Sequence, residues 1–176
     1  NVTILQKHQQ FIHSRVLIDG MEFYWTLVYG ASTSGERENL WNDLSDDLTP
    51  NTTPWLIQRD FNNVLSNNDR IGGQWVNDNM VEQFKNWTSR LELFELKNHC
   101  CRYTWCNNQT GGQRIWRKID WAFVNGNWLD ALAFSECEVL PAGISDHSLL
   151  VVTISRASYS GIVLFKFFNA WCDHPE

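Results

Sequence analysis

The spacing of apolar and polar positions predicts a chain of alternating strands and helices that ends in a run of strands. Residues 11–18 are rich in β-branched and aromatic side chains, as a strand is, and Asp19-Gly20 behind them is a turn signal. Residues 23–29, FYWTLVY, form a short and nearly continuous apolar run, the pattern of a strand buried on both faces. Across 35–48, Leu40, Trp41, Leu44 and Leu48 recur at helical spacing. Glu36 and Glu38 suit that helix's first turn, and Pro50 follows its end. Residues 54–57 predict a second buried strand, and the polar stretch containing Gly72-Gly73 a loop. A second helix is predicted over 79–90, with Met80, Phe84 and Trp87 on one face. Shorter strands are predicted at 93–96, 103–106, 115–124, 137–140 and 149–154, with a hairpin-like turn over 107–112. That order describes an α/β sandwich whose sheets are covered by helices. A further apolar run at 162–168 has no place in the scheme.

The chain's 176 residues suit a single domain large enough to bury a core. With 43% apolar and 19% charged residues it is neither disordered nor fibrous. No run approaches the ~20 apolar residues of a membrane span, and residues 1–10 lack the basic-then-apolar order of a signal peptide. The formal net charge of −6 argues against a surface coated for indiscriminate nucleic-acid binding. It is compatible with an enzyme that grips phosphates at one place, because carboxylates that hold metal ions also push the count negative. Five cysteines, an odd number without a Cys-x-x-Cys pair, argue against a disulfide scaffold or a structural zinc site and favour reduced thiols inside the cell. His99, Cys100, Cys101 and Cys106 are metal-ligand types, but small buried residues around a strand is the favoured reading. Asn-x-Thr at Asn1, Asn51, Asn86 and Asn108 is read as chance. Of ten tryptophans, Trp25, Trp41, Trp55, Trp87 and Trp121 sit in apolar patterns that read as core rather than as stacking platforms for bases.

Three segments place polar residues at predicted strand ends, where α/β proteins gather ligands and catalytic groups. Asp60-Phe61-Asn62 follows Trp55-Leu56-Ile57, Asp120 is flanked by apolar residues, and Ser145-Asp146-His147-Ser148 precedes Leu149-Leu150-Val151-Val152. Three carboxylates, an amide and an imidazole are a sufficient set for hydrolysing a phosphodiester. One carboxylate orients or deprotonates water, and others hold a hard divalent cation. The amide and a protonated imidazole stabilise charge on phosphoryl oxygens, and a further carboxylate orients the imidazole. Each residue also has a plainer reading. Asp60 and Asn62 are turn formers, Asp120 could lie on an exposed edge strand, Asp146-His147 could be a loop before a strand, and Tyr29 could be core.

The three segments in this order resemble the endonuclease/exonuclease/phosphatase family, which has the DNase I-like fold. The resemblance runs from about residue 23 to 154. Within that family the chain is most similar to endonucleases of plant LINE-type non-LTR retrotransposons. The segments that carry this are RENLWNDL at 37–44, PWLIQRDFN at 54–62, DRIGG at 69–73, YTWCNN at 103–108 and FKFFNAWCDHP at 165–175. The last resembles the connector towards a reverse transcriptase, so the resemblance divides the chain into a partial nuclease domain, 1–154, and a connector, 155–176.

The resemblance implies a magnesium-dependent endonuclease acting on DNA, in the nucleus. Asp60 would activate or position the attacking water, Asn62 would hold the scissile phosphate, and Tyr29 would contact it. Asp120 would orient His147, His147 would stabilise the pentavalent phosphorus, and Asp146 would belong to the metal site. Two positions depart from the family pattern. Arg59 stands where a glycine usually precedes Asp60, and Leu149 where a proline usually follows Ser148. The family's Asn and metal-binding Glu belong on strands upstream of Tyr29, and the sequence is expected to lack those opening strands. The implied consequences are weak magnesium binding, impaired activity or a non-catalytic relic that binds nucleic acid or partners, and self-association through exposed apolar surface.

Overall fold

A computed structural model describes residues 1–46, 48 and 52–155. The tail's apolar run and the connector-like segment lie outside the described residues. Twelve strands and three helices follow in chain order: β1 (Val2–Lys7), β2 (Phe11–Ile18), β3 (Met21–Tyr29), α1 (Ser34–Asp46), β4 (Trp55–Asp60), β5 (Arg70–Ile71), α2 (Asp78–Arg90), β6 (Phe94–Glu95), β7 (Asn98–Cys100), β8 (Trp105–Cys106), β9 (Trp116–Arg117), β10 (Asp120–Val124), α3 (Gly126–Ala131), β11 (Glu136–Leu140) and β12 (Leu149–Thr153).

Six strands form the main sheet in the order β1-β2-β3-β4-β10-β6. β1, β2 and β3 are antiparallel, and Asp19 and Gly20 close the β2–β3 hairpin with φ of 50° and 72°. Two consecutive positive φ values are what a tight hairpin turn requires. The α1 crossover then brings β4 back parallel to β3, and β10 adds antiparallel on the other side of β4. A second sheet, β12-β11-β7, and a small third one, β5-β9-β8, complete the sheets of the described residues.

Alternation along the central strands sorts side chains between two cores. Trp55 and Ile57 of β4 and Trp121 and Phe123 of β10 pack with Leu40, Trp41, Phe84 and Trp87 beneath α1 and α2. Leu56, Ala122 and Val124 point the other way, towards Cys137 of β11 and Trp128 and Leu132 at α3. The main sheet is therefore covered by helices on one face and by the second sheet on the other. Four of the five tryptophans read as core are buried; Trp25 is half-buried and packs against the second core.

Several boundaries differ from the sequence reading, each for a tertiary reason. Residues 2–7 form an edge strand. β4 continues through polar Gln58-Arg59-Asp60 because β3 and β10 both pair with it to its end. The strand predicted over 115–124 is two strands in different sheets, β9 and β10. Between them the Lys118 amide donates to the Asp69 carbonyl and the Ile119 amide to Thr104 Oγ1. α3 and β7 are additional elements, and α3 is capped by Asn125, whose side-chain oxygen accepts from the Trp128 amide at 3.1 Å. Cys100 is exposed, against the expectation of small buried residues around a strand, whereas Cys106 and Cys137 are buried. Among the described residues no helix is long and apolar enough to cross a membrane.

Candidate active site

Strand register builds the site. β4 and β10 set Asp60 directly opposite Asp120, and the parallel pairing of β3 sets Tyr29 beside Asp60. Asp60 lies four residues beyond Leu56, and Asp120 two residues before Ala122. Both carboxylates therefore continue the face of the sheet that looks towards the second sheet. They end that face as buried polar groups, 6% and 4% exposed.

The turn after β4 is tight. The Gly30 amide donates to the Asp60 carbonyl at 2.7 Å. A Cβ on Gly30 would meet the Phe61 carbonyl oxygen at 2.7 Å, so only glycine allows β3 to end this close to β4. The Asn62 amide donates to Asp60 Oδ1 at 2.8 Å, an Asx turn that fixes the carboxylate. Asn62 adopts φ 50° and Arg59 φ 105°. Arg59 thus occupies the left-handed region in which the related pattern places a glycine. Its exposed side chain leaves the strand pairing continuous, and Asp60 keeps its register with both neighbours.

His147 arrives on the loop between β11 and β12. Its Nδ1–H donates to Asp120 Oδ2 at 3.0 Å, with Oδ1 at 3.2 Å. Trp105 pairs with His147 across an isolated bridge, and the Ser148 amide donates to the Thr104 carbonyl at 2.7 Å. Thr104, fully buried, locks the other side of the pair: its Oγ1 accepts from the amides of Ile119 and Asp120 at 3.0 and 2.9 Å. One hydroxyl therefore holds the backbone under Asp120 while its own carbonyl anchors the His147 loop.

The electrostatics follow from this packing. Burial, then the neighbouring Asp120 charge, pushes the Asp60 carboxyl up to about 6, against the opposing pull of the Asn62 amide, His147 and Arg37. The hydrogen bond from His147 to Asp120 raises the imidazole, outweighing its partial burial. Asp146 is exposed; its Oδ2 accepts from Trp105 Nε1 at 3.0 Å, and that bond holds its carboxyl below the ordinary value.

Among the described residues, one group places three ligand-type atoms within 4.8 Å of one another: Asp60, Asp120 and His147. Two mutually repelling buried carboxylates are relieved by a cation between them, and carboxylate oxygen suits a hard ion such as magnesium. The imidazole fits that ion poorly, and its Nδ1 is already engaged by Asp120. The donor set thus fits magnesium through two carboxylates, with water completing the coordination. Asp146, placed at the metal by resemblance, lies outside this group.

Of the six residues singled out in the sequence, Asp60, Asp120 and His147 converge, with Tyr29 and Asn62 at the same strand ends. Tyr29 is 71% exposed, so the plainer reading of it as core is corrected. Asp120 lies on an inner strand and is buried, which removes the edge-strand alternative. Thr104, Arg37 and Gln10 emerge only from the structure. Arg37 Nη1 donates to the carbonyls of Ala31 and Ser32, and Gln10 bridges the Ala31 amide and the Glu36 carbonyl, so both pin the loop that follows Tyr29. RENLWNDL and YTWCNN contain Arg37 and Thr104, but nothing in either segment marks the buried contact.

No protein-family model matches the chain, and no curated protein matches it. Solved structures do. The endonuclease domain of TRAS1, a telomere-specific non-LTR retrotransposon, matches with a TM-score of 0.58 at 14% identity, over 87% of this chain and 68% of that one. Beta toxin from Staphylococcus aureus, a double mutant with bound magnesium ions, matches with a TM-score of 0.55 at 16% identity, over 84% and 58%. An endonuclease/exonuclease/phosphatase family protein from Leptotrichia buccalis gives 0.50 at 15%, over 82% and 52%. The chain thus spans little more than half the length of the last two. Sandwich, strand order and neighbours agree, and the chain has the DNase I-like fold of the endonuclease/exonuclease/phosphatase proteins.

Proposed function

We propose that the site hydrolyses phosphodiesters of DNA with magnesium, as a retrotransposon-type endonuclease does, and that this chain turns over slowly. The observation that carries the reading is the Asp120–His147 pair at 3.0 Å beside a buried Asp60. Asp60, whose carboxyl is pushed up to about 6 by burial and the Asp120 charge in the metal-free chain, accepts the proton of the attacking water. Asp120 fixes His147 through Nδ1 and favours its protonated form, whose Nε2–H donates to a phosphoryl oxygen as charge develops there. The Asn62 side-chain amide and the exposed Tyr29 flank the same strand ends and suit the phosphate's remaining oxygens. Magnesium held through Asp60 and Asp120 would supply further charge neutralisation at the phosphate. A hard cation takes about six oxygen ligands. Two carboxylates make a weak site, and slow turnover follows.

Nicking of supercoiled plasmid across a magnesium titration tests this. Slow nicking that needs high magnesium, lost in His147→Ala and Asp60→Asn, is the expected result. Fast nicking at low magnesium that disappears in Asp60→Ala refutes the impairment. No magnesium-dependent nicking at any concentration refutes the hydrolase and leaves a second reading, a non-catalytic relic that binds nucleic acid. Arg59 at φ 105° favours that second reading, because it stands beside Asp60 where the resembled pattern has a glycine suited to that backbone.

A further inference from the structure

The small third sheet carries three side chains that the hydrolytic machinery does not use and that lead up to His147. Arg70 of β5 pairs directly with Arg117 of β9, Arg117 pairs with Trp105 of β8, and Trp105 pairs with His147. Directly opposed residues share one face of a sheet, so Arg70, Arg117, Trp105 and His147 form a single line leading away from the site. With strands ~4.8 Å apart, Arg117 stands roughly 10 Å from His147 along that line.

Two arginines set opposite each other repel, and among the described residues neither makes a salt bridge. The Arg117 Nε is shut off from solvent and has no hydrogen-bond partner. Its guanidinium carbon lies 6.0 Å from the Trp105 ring centroid, at the outer range of a cation–π contact. Burial, then the Arg70 charge, press the Arg117 guanidinium towards the neutral form, and the Asp60 carboxylate opposes them. The Arg70 Nε donates to the Gly72 carbonyl at 2.8 Å, and its guanidinium lies against Gly73. Two neighbouring guanidinium groups without a salt bridge of their own, with Asp60 the opposing charge acting on Arg117, form a site that an anion with several oxygens would neutralise.

We infer that Arg70 and Arg117 hold a backbone phosphate of the DNA strand whose neighbouring phosphate sits at His147. This rests on the proposed function for the identity of the anion. The row's extent across three strands and its continuity with His147 make a strand of DNA a better occupant than a lone small phosphate. The contact carries no base readout: it would position the strand and set its register at the site.

The test is binding of a labelled DNA duplex to the full chain in EDTA, titrated with salt, with nicking measured in parallel. Arg70→Gln and Arg117→Gln should each weaken binding on the order of tenfold at low salt and flatten the plot of log K against log salt by about one. Arg117→Lys keeps the charge but loses the fork, so it should fall between wild type and Arg117→Gln. Arg15→Gln, on the exposed side of β2, should leave affinity and slope unchanged. Circular dichroism melts identify any variant that has simply failed to fold, and Arg70→Gln and Arg117→Lys then carry the test. If both arginine variants bind with the wild-type slope, or the wild-type chain binds no DNA at low salt, the inference is overturned. If slopes fall as expected while no magnesium-dependent nicking occurs, the phosphate site stands and the hydrolase reading alone fails. If His147→Ala abolishes nicking while both arginine variants bind as wild type does, the reverse holds.

Discussion

β4 and β1 are both six residues long and open on apolar residues, WLI in one and VTIL in the other, yet they meet opposite fates. Trp55, Leu56 and Ile57 are at most 2% exposed, whereas Val2, Ile4 and Leu5 are 60, 51 and 50% exposed. Hydrophobicity does not separate them; coverage does. β4 has a strand on each side, the two helices above and the second sheet below. Among the described residues β1 is the outer strand of the sheet, paired with β2 on one side. The difference decides where chemistry is possible. At the end of β4 a carboxylate can be buried, fixed by a backbone amide and pushed up to about 6. On β1 a charged group would stay in water and keep its ordinary behaviour.

The largest expected contrast is in stability. Phe123→Ala on β10 removes a fully buried ring from a cluster with Phe61, Phe84 and Trp121, and should cost about 3–5 kcal/mol in urea unfolding. A loss below about 1 kcal/mol would mean the centre is not packed as described. The next is the pH dependence of Asp60. Its folded value, about 6, lies above the ordinary 3.8, so the folded chain binds this proton more tightly than the unfolded one. The resulting stability is fully present below 3.8 and is lost as pH rises through about 6. The loss is on the order of 3 kcal/mol. His147, raised by its bond to Asp120, adds a loss in the same direction above its ordinary 6.5. Unfolding in EDTA between pH 4 and 7 should show stability falling with pH, and Asp60→Asn should remove the part below about 6. A flat wild-type profile would contradict the burial of Asp60.

The middle of the scale belongs to Arg59. A side chain at φ 105° costs of order 1–3 kcal/mol that glycine avoids. Arg59→Gly should therefore raise stability by about 1–2 kcal/mol, net of the greater freedom glycine gains when unfolded. An unchanged or lower melting midpoint would show that the backbone there relaxes without strain. The sequence already marks this position, because a departure from glycine can be read without coordinates.

The legible part of the site is the part carried by residue type and order. Asp60, Asp120 and His147 can be named from the chain because each sits beside an apolar run, and the related pattern orders them. What they touch cannot be named, since Asp60 faces Asp120 only through register between strands 60 residues apart in sequence. Thr104 and Arg117 are invisible for the same reason. Their roles depend on which strands pair, and the predicted strand over 115–124 concealed that β9 and β10 belong to different sheets. Of the fold, long apolar patterns such as α2 and β3 were readable. β1 and β7 were not, because edge and short strands need not bury a face.

The smallest expected effect on stability lies at the β1 edge, where the comparison is sharpest. Between Ile4 and Gln6 the pairing with β2 shifts register, so Leu5 is the extra residue of a β-bulge. A bulge twists an edge and spoils it as a template for another chain. Val2, Ile4 and Leu5 nevertheless leave apolar surface open, and the two requirements pull in opposite directions. Ile4→Ser with Leu5→Ser removes that surface without opening a cavity, so it should change unfolding stability by no more than about 0.5 kcal/mol. If the apolar surface governs association, as proposed here, sedimentation of the wild-type chain should show self-association that the double variant loses. If the bulge governs, both proteins should sediment as monomers at every concentration. A large loss of stability in the double variant would break the comparison itself, because it would mean that β1 is covered in the native state as β4 is.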